Sequence, residues 1–263
     1  VLKRISQLEQ QLGTRLFHRT TRSMRLTDSG ELLLGKASTL LAEWDDALLG
    51  TLSSEEKIEG IIRVVVPTSL NHLFLNQLWA SFLEKHRRVK LDVLLEEKSL
   101  NPNEENCDVA ISGHAGTYPR VVEIALAAVN PILCATPRYL STHKRPLQLS
   151  DLPSLDCLAY RPQSTNWQFE SARGPKTIDI TPRFIADDNY TLLHAALANN
   201  GIAVLPRYIC NAALKKKQLE VILPHNKPLQ NWFKASVPER KMKLARVEAL
   251  VHHLQHGFKN FES

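Results

Sequence analysis

The chain has 263 residues, 43% hydrophobic and 23% charged, enough for about two ordinary domains, each with its own core. A disulfide-stapled miniprotein is excluded, and so is a membrane-spanning helix, because no apolar run approaches the ~18 residues a span requires. The formal net charge of +6 is unevenly placed: residues 1–25 carry Lys3, Arg4, Arg15, Arg19, Arg22 and Arg25 against Glu9 alone, which leaves +1 for the remaining 238 residues.

Six cations in a short head suit phosphate neutralisation, in which each neutralised phosphate releases counterions, so nucleic acid is the leading partner. In chain order, Ile5, Leu8, Leu12 and Leu16 recur at three- and four-residue spacing, which predicts an amphipathic helix over 1–12 ended by Gly13. Polar turn residues between Leu16-Phe17 and Met24-Arg25-Leu26 then predict a small basic hairpin or wing. Thr27 or Asp28 can cap a long helix from 28 to about 52, with Asp28 and Glu31 at its positive end. On it Leu33, Ala37, Leu40, Trp44 and Ala47 keep 4-3-4-3 spacing while Leu34, Leu41 and Leu48 repeat every seven. A helix ~37 Å long with so wide an apolar stripe is expected to pair with a second chain. A polar segment ending in Gly60 reads as a linker.

Beyond it, Ile61–Val66, Val89–Leu95 and Asp108–Ile111 read as strands, with Leu70–His86 as a helix between the first two. The alternation resumes with Leu155–Tyr160, Arg183–Ala186, a helix over Tyr190–Asn199 with Asn200-Gly201 as its C-cap, and a buried strand Ile202–Leu205. Alternating strand and helix predicts parallel α/β sheets in two halves. Leu244–Phe258 is a final amphipathic helix with Leu244, Val247, Leu250, Val251 and Leu254 on its apolar side. Cys107, Cys134, Cys157 and Cys210 contain no C-x-x-C, so neither a disulfide framework nor a zinc ribbon is encoded and a reducing cytoplasm is the expected compartment.

Val1-Leu2-Lys3-Arg4-Ile5-Ser6-Gln7-Leu8-Glu9, Leu12-Gly13-Thr14-Arg15-Leu16-Phe17-His18-Arg19 and Leu26-Thr27-Asp28-Ser29-Gly30 together resemble the LysR-type transcriptional regulators. Asp108-Val109-Ala110-Ile111, Pro137-Arg138-Tyr139-Leu140, Asp151-Leu152-Pro153 and Asn200-Gly201-Ile202-Ala203-Val204-Leu205-Pro206 extend the likeness over nearly the whole chain. The resemblance implies an α/β protein with three parts. These are a partial winged helix-turn-helix head (1–27), a linker and dimerisation helix with its hinge (28–59), and an effector-binding domain (60–263) of two lobes like periplasmic binding proteins. The lobes would be about 61–133 with 234–263, and 134–233. Because the sequence opens on Val1, the resemblance also places the first two helices of the DNA-binding domain upstream and implies an N-terminally truncated regulator. The implied partners are double-stranded promoter DNA, a small-molecule effector, a second or further copies in a homodimer or homotetramer, and RNA polymerase, with no membrane. The competing reading is a small-molecule-binding and oligomerisation module without DNA binding.

Long cations and hydroxyls match phosphate oxygens, which makes Lys3, Arg4, Arg15, Arg19, Thr20 and Arg22 the candidate DNA contacts, with Leu8, Leu12, Leu16 and Phe17 as core. Ligands of open parallel sheets bind beyond the carboxyl ends of strands, which points to Thr68, Ser69, Ser112, His114, Arg161 and Asn189 as effector contacts. Thr68 and Ser69 could hold an anion at a helix start, and Arg161 favours an anionic effector. No G-x-G-x-x-G, P-loop, G-x-S-x-G or H-E-x-x-H occurs, so neither an enzyme nor a cofactor is expected. His252, His253 and His256 have no acidic or thiol companion nearby and read as a solvated helix face rather than a metal site.

Overall fold

A computed structural model describes residues 2–19, 24–52, 58–105, 107–113, 116–161 and 165–261. The chain forms two compact units, Val1–Lys57 and Ile58–Ser263. In the first, helix α1 (Leu2–Leu12) ends at Gly13, whose φ of +64° is a left-handed conformation that suits glycine. Strands β1 (Phe17–Arg19) and β2 (Met24–Leu26) pair antiparallel, Phe17 opposite Leu26. Glu9 staples helix to hairpin: its Oε1 accepts the N–H groups of Leu16 at 2.9 Å and Phe17 at 3.1 Å.

Helix α2 (Asp28–Leu52) begins where Thr27 Oγ1 accepts the N–H of Gly30 at 3.0 Å and donates to the Arg15 carbonyl at 2.7 Å. One hydroxyl thus starts the helix and ties it to the hairpin. Gly30 lies so close to the hairpin that a Cβ would sit 2.1 Å from the Leu16 carbonyl oxygen. The expected head core reduces to Leu16, which is buried, and Phe17, half-buried; Leu8 and Leu12 are 41% and 48% exposed. One helix and one hairpin leave that side of α1 uncovered.

The second unit opens with β3 (Gly60–Val66), stopped by Pro67, then α3 (Thr68–Leu70), a π-helical turn (Asn71–Leu75) and α4 (Asn76–Lys85). β4 (Val89–Leu95), β5 (Val109–Ser112) and β6 (Val121–Val129) follow, and Asn130 alone separates β6 from β7 (Pro131–Ala135). Next come α5 (Pro137–Thr142), β8 (Cys157–Tyr160), the paired β9 (Asn166–Phe169) and β10 (Lys176–Asp179), β11 (Pro182–Ala186) and α6 (Asn189–Leu197). The chain closes with β12 (Ile202–Pro206), α7 (Arg207–Lys215), β13 (Glu220–Val221), β14 (Asn231–Pro238) and α8 (Ala245–Phe258).

These strands make two five-stranded sheets, β4-β3-β5-β14-β6 in what we call lobe I and β11-β8-β12-β7-β13 in lobe II. The sheets are mixed, which corrects the all-parallel expectation. β4-β3-β5 and β11-β8-β12 are parallel, but β14 runs antiparallel to β5 and β6, and β7 antiparallel to β12 and β13. The antiparallel members β6, β7 and β14 flank the two points where the chain crosses between sheets. Lobe II buries both faces of its sheet. Along β12, Ala203 and Leu205 join Leu192 and Cys210 on one face, while Ile202 packs with Tyr139, Leu152 and Phe169 on the other, the period-two alternation of a central strand.

In lobe I, α8 supplies Val247, Leu250, Val251, Leu254 and Phe258 to a core shared with Ile62, Val64, Phe82 and Phe233. His253 is not on a solvated face: its Nε2 lies 3.0 Å from the Leu78 carbonyl and 3.0 Å from Ser81 Oγ, against Phe82. Among the described residues no group of His, Cys, Asp and Glu could hold a metal ion. The helix-ending left-handed residue of α6 is Asn199, at φ +65°, rather than Asn200-Gly201. Gly201 is required for a different reason, since a Cβ there would meet the Asp156 carbonyl oxygen at 2.2 Å.

Candidate functional site

Between lobes I and II lies a cavity of about 60 Å³. Its wall is assembled from residues just past the carboxyl ends of the parallel strands: Pro67 and Ser69 after β3, Glu97 after β4, Gly113 after β5, Asn189 after β11 and Tyr208 after β12. This is where the fold makes a crevice, because each strand hands over to a loop or helix at the same edge. Tyr160 at the end of β8 and Phe233 of β14 complete an aromatic side. The two chain crossings form its base, with Val129, Pro131 and Asn231 on the wall, and Gln230 Nε2 donates to Asn130 Oδ1 at 2.6 Å.

The lobes touch through polar groups at this cavity. Tyr208, on the first turn of α7, reaches into lobe I, where its hydroxyl lies 3.1 Å from Ser69 Oγ and its ring stands edge-on 5.9 Å from Phe233. Burial pushes the Tyr208 hydroxyl well above the ordinary phenol range, and it stays protonated. Ser69 is only 1% exposed, so its hydroxyl and that of Tyr208 satisfy one another. Glu97 Oε1 accepts the Thr68 N–H at 2.9 Å, and the Ser69 N–H also acts on this carboxyl. Burial raises the Glu97 carboxyl above its ordinary range against the lowering effect of these N–H groups, and the acids Asp188 and Glu96 raise it further.

The six predicted effector residues separate. Ser69 and Asn189 lie on the cavity wall, and Thr68 meets it through the N–H that Glu97 accepts. Ser112 is buried in β5, paired with Lys234 of β14, next to the wall residue Gly113. Arg161 is exposed beside Tyr160 and is not part of the wall. His114 lies outside the described residues. Glu97, Tyr160, Tyr208, Asn231 and Phe233 were not foreseen. Glu97 sits in the polar run Glu96-Glu97-Lys98 and Asn231 beside Gln230, stretches with no local pattern that marks a site. Counting two residues beyond each strand end would have found Glu97 and Tyr208.

In the head, Lys3, Arg4 and Arg15 are exposed, Arg19 ends β1, and Thr20 and Arg22 lie outside the described residues. Long side chains on a helix start and a hairpin can reach phosphate oxygens. Helix α2 presents a wide apolar surface: Leu32, Leu34, Leu40, Leu41 and Trp44 are each more than half exposed in the single chain. No described helix is long and apolar enough to cross a membrane.

Two family descriptions match the chain: "LysR substrate binding domain" over residues 55–259 and "Bacterial regulatory helix-turn-helix protein, lysR family" over residues 1–31. The chain is similar to the transcriptional regulator PtxR of Pseudomonas aeruginosa, 26% identical over 96% of this chain and 82% of that protein. It is similarly related to the probable transcriptional regulator LtrA of Klebsiella pneumoniae, 26% identical over 85% of this chain and 73% of that protein. In fold it is like CrgA, a LysR-type transcriptional regulator from Neisseria meningitidis, with a TM-score of 0.69 and 24% identity, covering 98% of this chain and 89% of that one.

Proposed function

This chain belongs to the LysR family of transcriptional regulators, and on that premise we propose that it binds promoter DNA and is modulated by a small effector held between lobes I and II. The observation that carries this is the joining, in one chain, of a basic helix-and-hairpin head to a two-sheet domain with a cavity between its lobes, lined by apolar and aromatic residues with Ser69, Glu97 and Asn189 among them. Lys3 and Arg4 serve groove and phosphate contacts, and Arg15, Arg19, Thr20 and Arg22 serve the DNA backbone. The exposed leucines and Trp44 of α2 are covered by a second copy, because an apolar face of that width is costly to leave in water. The protein then acts in the cytoplasm as a homodimer or homotetramer, by binding rather than catalysis, and RNA polymerase reads the outcome at the promoter.

An effector can only shift the regulator between arrangements if it binds one more tightly than the other. The Ser69–Tyr208 hydrogen bond, which spans the lobes, supports a closed arrangement whose population a ligand in the cavity would change. Of the contacts expected from the strand ends, Ser69 and Asn189 are kept as proposed effector contacts, with Thr68 acting through its N–H, and Glu97, Tyr160 and Tyr208 join them.

The test is a binding titration against DNA from beside the chain's own gene at two salt concentrations. Affinity is expected to fall with a slope of about −0.9 per neutralised phosphate. Lys3→Ala or Arg4→Ala should each reduce a phosphate-driven slope by about 1. Small-molecule binding with no salt-dependent DNA binding would leave only the binding and oligomerisation module.

A further inference from the structure

A helix start reached by a short loop after a strand offers free N–H groups to an anion, and on the sequence Thr68 and Ser69 supply one. In the folded chain that place is taken. The carboxylate of Glu97, from the loop after β4, accepts the Thr68 N–H at 2.9 Å, and the Ser69 hydroxyl is engaged by Tyr208. A carboxylate or phosphate arriving in the cavity would meet a carboxyl oxygen that already takes the Thr68 N–H, with the acids Asp188 and Glu96 close enough to act on the same group.

The rest of the wall has the opposite preference. Among the described residues, no Lys, Arg or His lines the cavity. Arg207 lies in sequence between the wall residues Pro206 and Tyr208 but lines the adjoining groove that meets the cavity at Pro131, and Arg161 is exposed off the wall. Tyr160, Tyr208 and Phe233 present aromatic surface, whose negative faces attract cations. Asn189 and Asn231 add neutral amides, which can accept from an ammonium or guanidinium as well as donate.

We propose that the cavity between the lobes selects a small cationic ligand, an ammonium or guanidinium group, paired with Glu97 and bordered by Tyr160, Tyr208 and Phe233. The inference rests on the reading that the effector binds between the lobes and adds the charge of that effector.

The experiment is a thermal-shift and calorimetric titration of the full chain with three probes of one chain length, n-propylammonium, propionate and n-propanol, with guanidinium at low millimolar concentration as a fourth, all at matched ionic strength. The ammonium and guanidinium probes are expected to raise the melting temperature and the other two to leave it unchanged. Glu97→Gln retains an oxygen that can accept the Thr68 N–H, so the fold is kept. It should weaken the cationic probes by roughly tenfold to a hundredfold. Cation binding unaffected by Glu97→Gln, or a propionate shift without an ammonium shift, overturns the proposal; the latter leaves the effector site itself standing. No shift with any probe counts against both the charge preference and a small-molecule site between the lobes.

Discussion

At Glu97 the fold and the ligand site pull in opposite directions. Burial, with Asp188 and Glu96, raises its folded-state pKa above the ordinary 4.5, so the folded chain holds that proton more tightly than the unfolded one. For a raised carboxyl the associated stability is fully present below the unfolded value and is lost as pH rises through the folded value. Glu97→Gln should therefore melt higher than the parent at neutral pH, and melting curves across the acid range should show the difference shrinking to nothing below about pH 4.5. The cysteines make the converse case. Cys107, Cys134, Cys157 and Cys210 are all buried, and burial pushes the thiols of Cys107 and Cys157 up to about 12. Thiol titration with an aromatic disulfide should count none in the native protein and all four in denaturant. The role of Glu97 was hidden because a glutamate between Glu96 and Lys98 looks like any solvated loop residue until the strand end that places it is known.

At the scale of elements, the legible parts were those whose side-chain period matches their environment. The bounds of α2, β3, β4 and α8 follow from runs of leucine, valine and isoleucine at helix or strand spacing. The strands that escaped are β6, β7, β9, β10, β13 and β14. Val121–Val129 carries Glu123 and Asn231–Pro238 carries Lys234, and each charge interrupts the apolar pattern of its strand. The two meet across the sheet at 2.8 Å, Lys234 Nζ donating to Glu123 Oε2, a cross-strand match that no local window contains. A second long-range pair ties the segment before α8 to the sheet: Lys241 pairs with Asp108, both nearly fully buried, and Asp108 Oδ2 also accepts the Arg63 N–H at 2.7 Å. Lys241→Met strands a buried carboxylate and should cost about 3–5 kcal/mol by chemical denaturation, part of it recovered when Asp108→Asn is added. In the head, Gly30→Ala forces the hairpin away from α2 and should cost roughly 1–3 kcal/mol there, read as loss of DNA binding and faster proteolysis of the hairpin.

For the whole molecule, the basic head and the long helix were legible from charge and periodicity, because each is a property of contiguous sequence, whereas the sheet of lobe I, completed by β14 from beyond lobe II, was not. The cavity was not, since its wall draws on segments from Pro67 to Phe233 that only the completed sheets bring together. The path of the chain through those sheets also dictates an order of events during synthesis. The lobe II sheet is complete within residues 131–221, whereas β14, which sits between β5 and β6 in lobe I, arrives only with residues 231–238. Lobe I therefore waits, its β5 and β6 edges unpaired, while lobe II folds as a contiguous piece. Chains ending at Gln230 and extended by a linker long enough to clear the ribosome should show protease-resistant lobe II and digestible lobe I, and the exposed hydrogen bond from Gln230 to Asn130 marks where the late strand returns to a sheet begun more than 100 residues earlier.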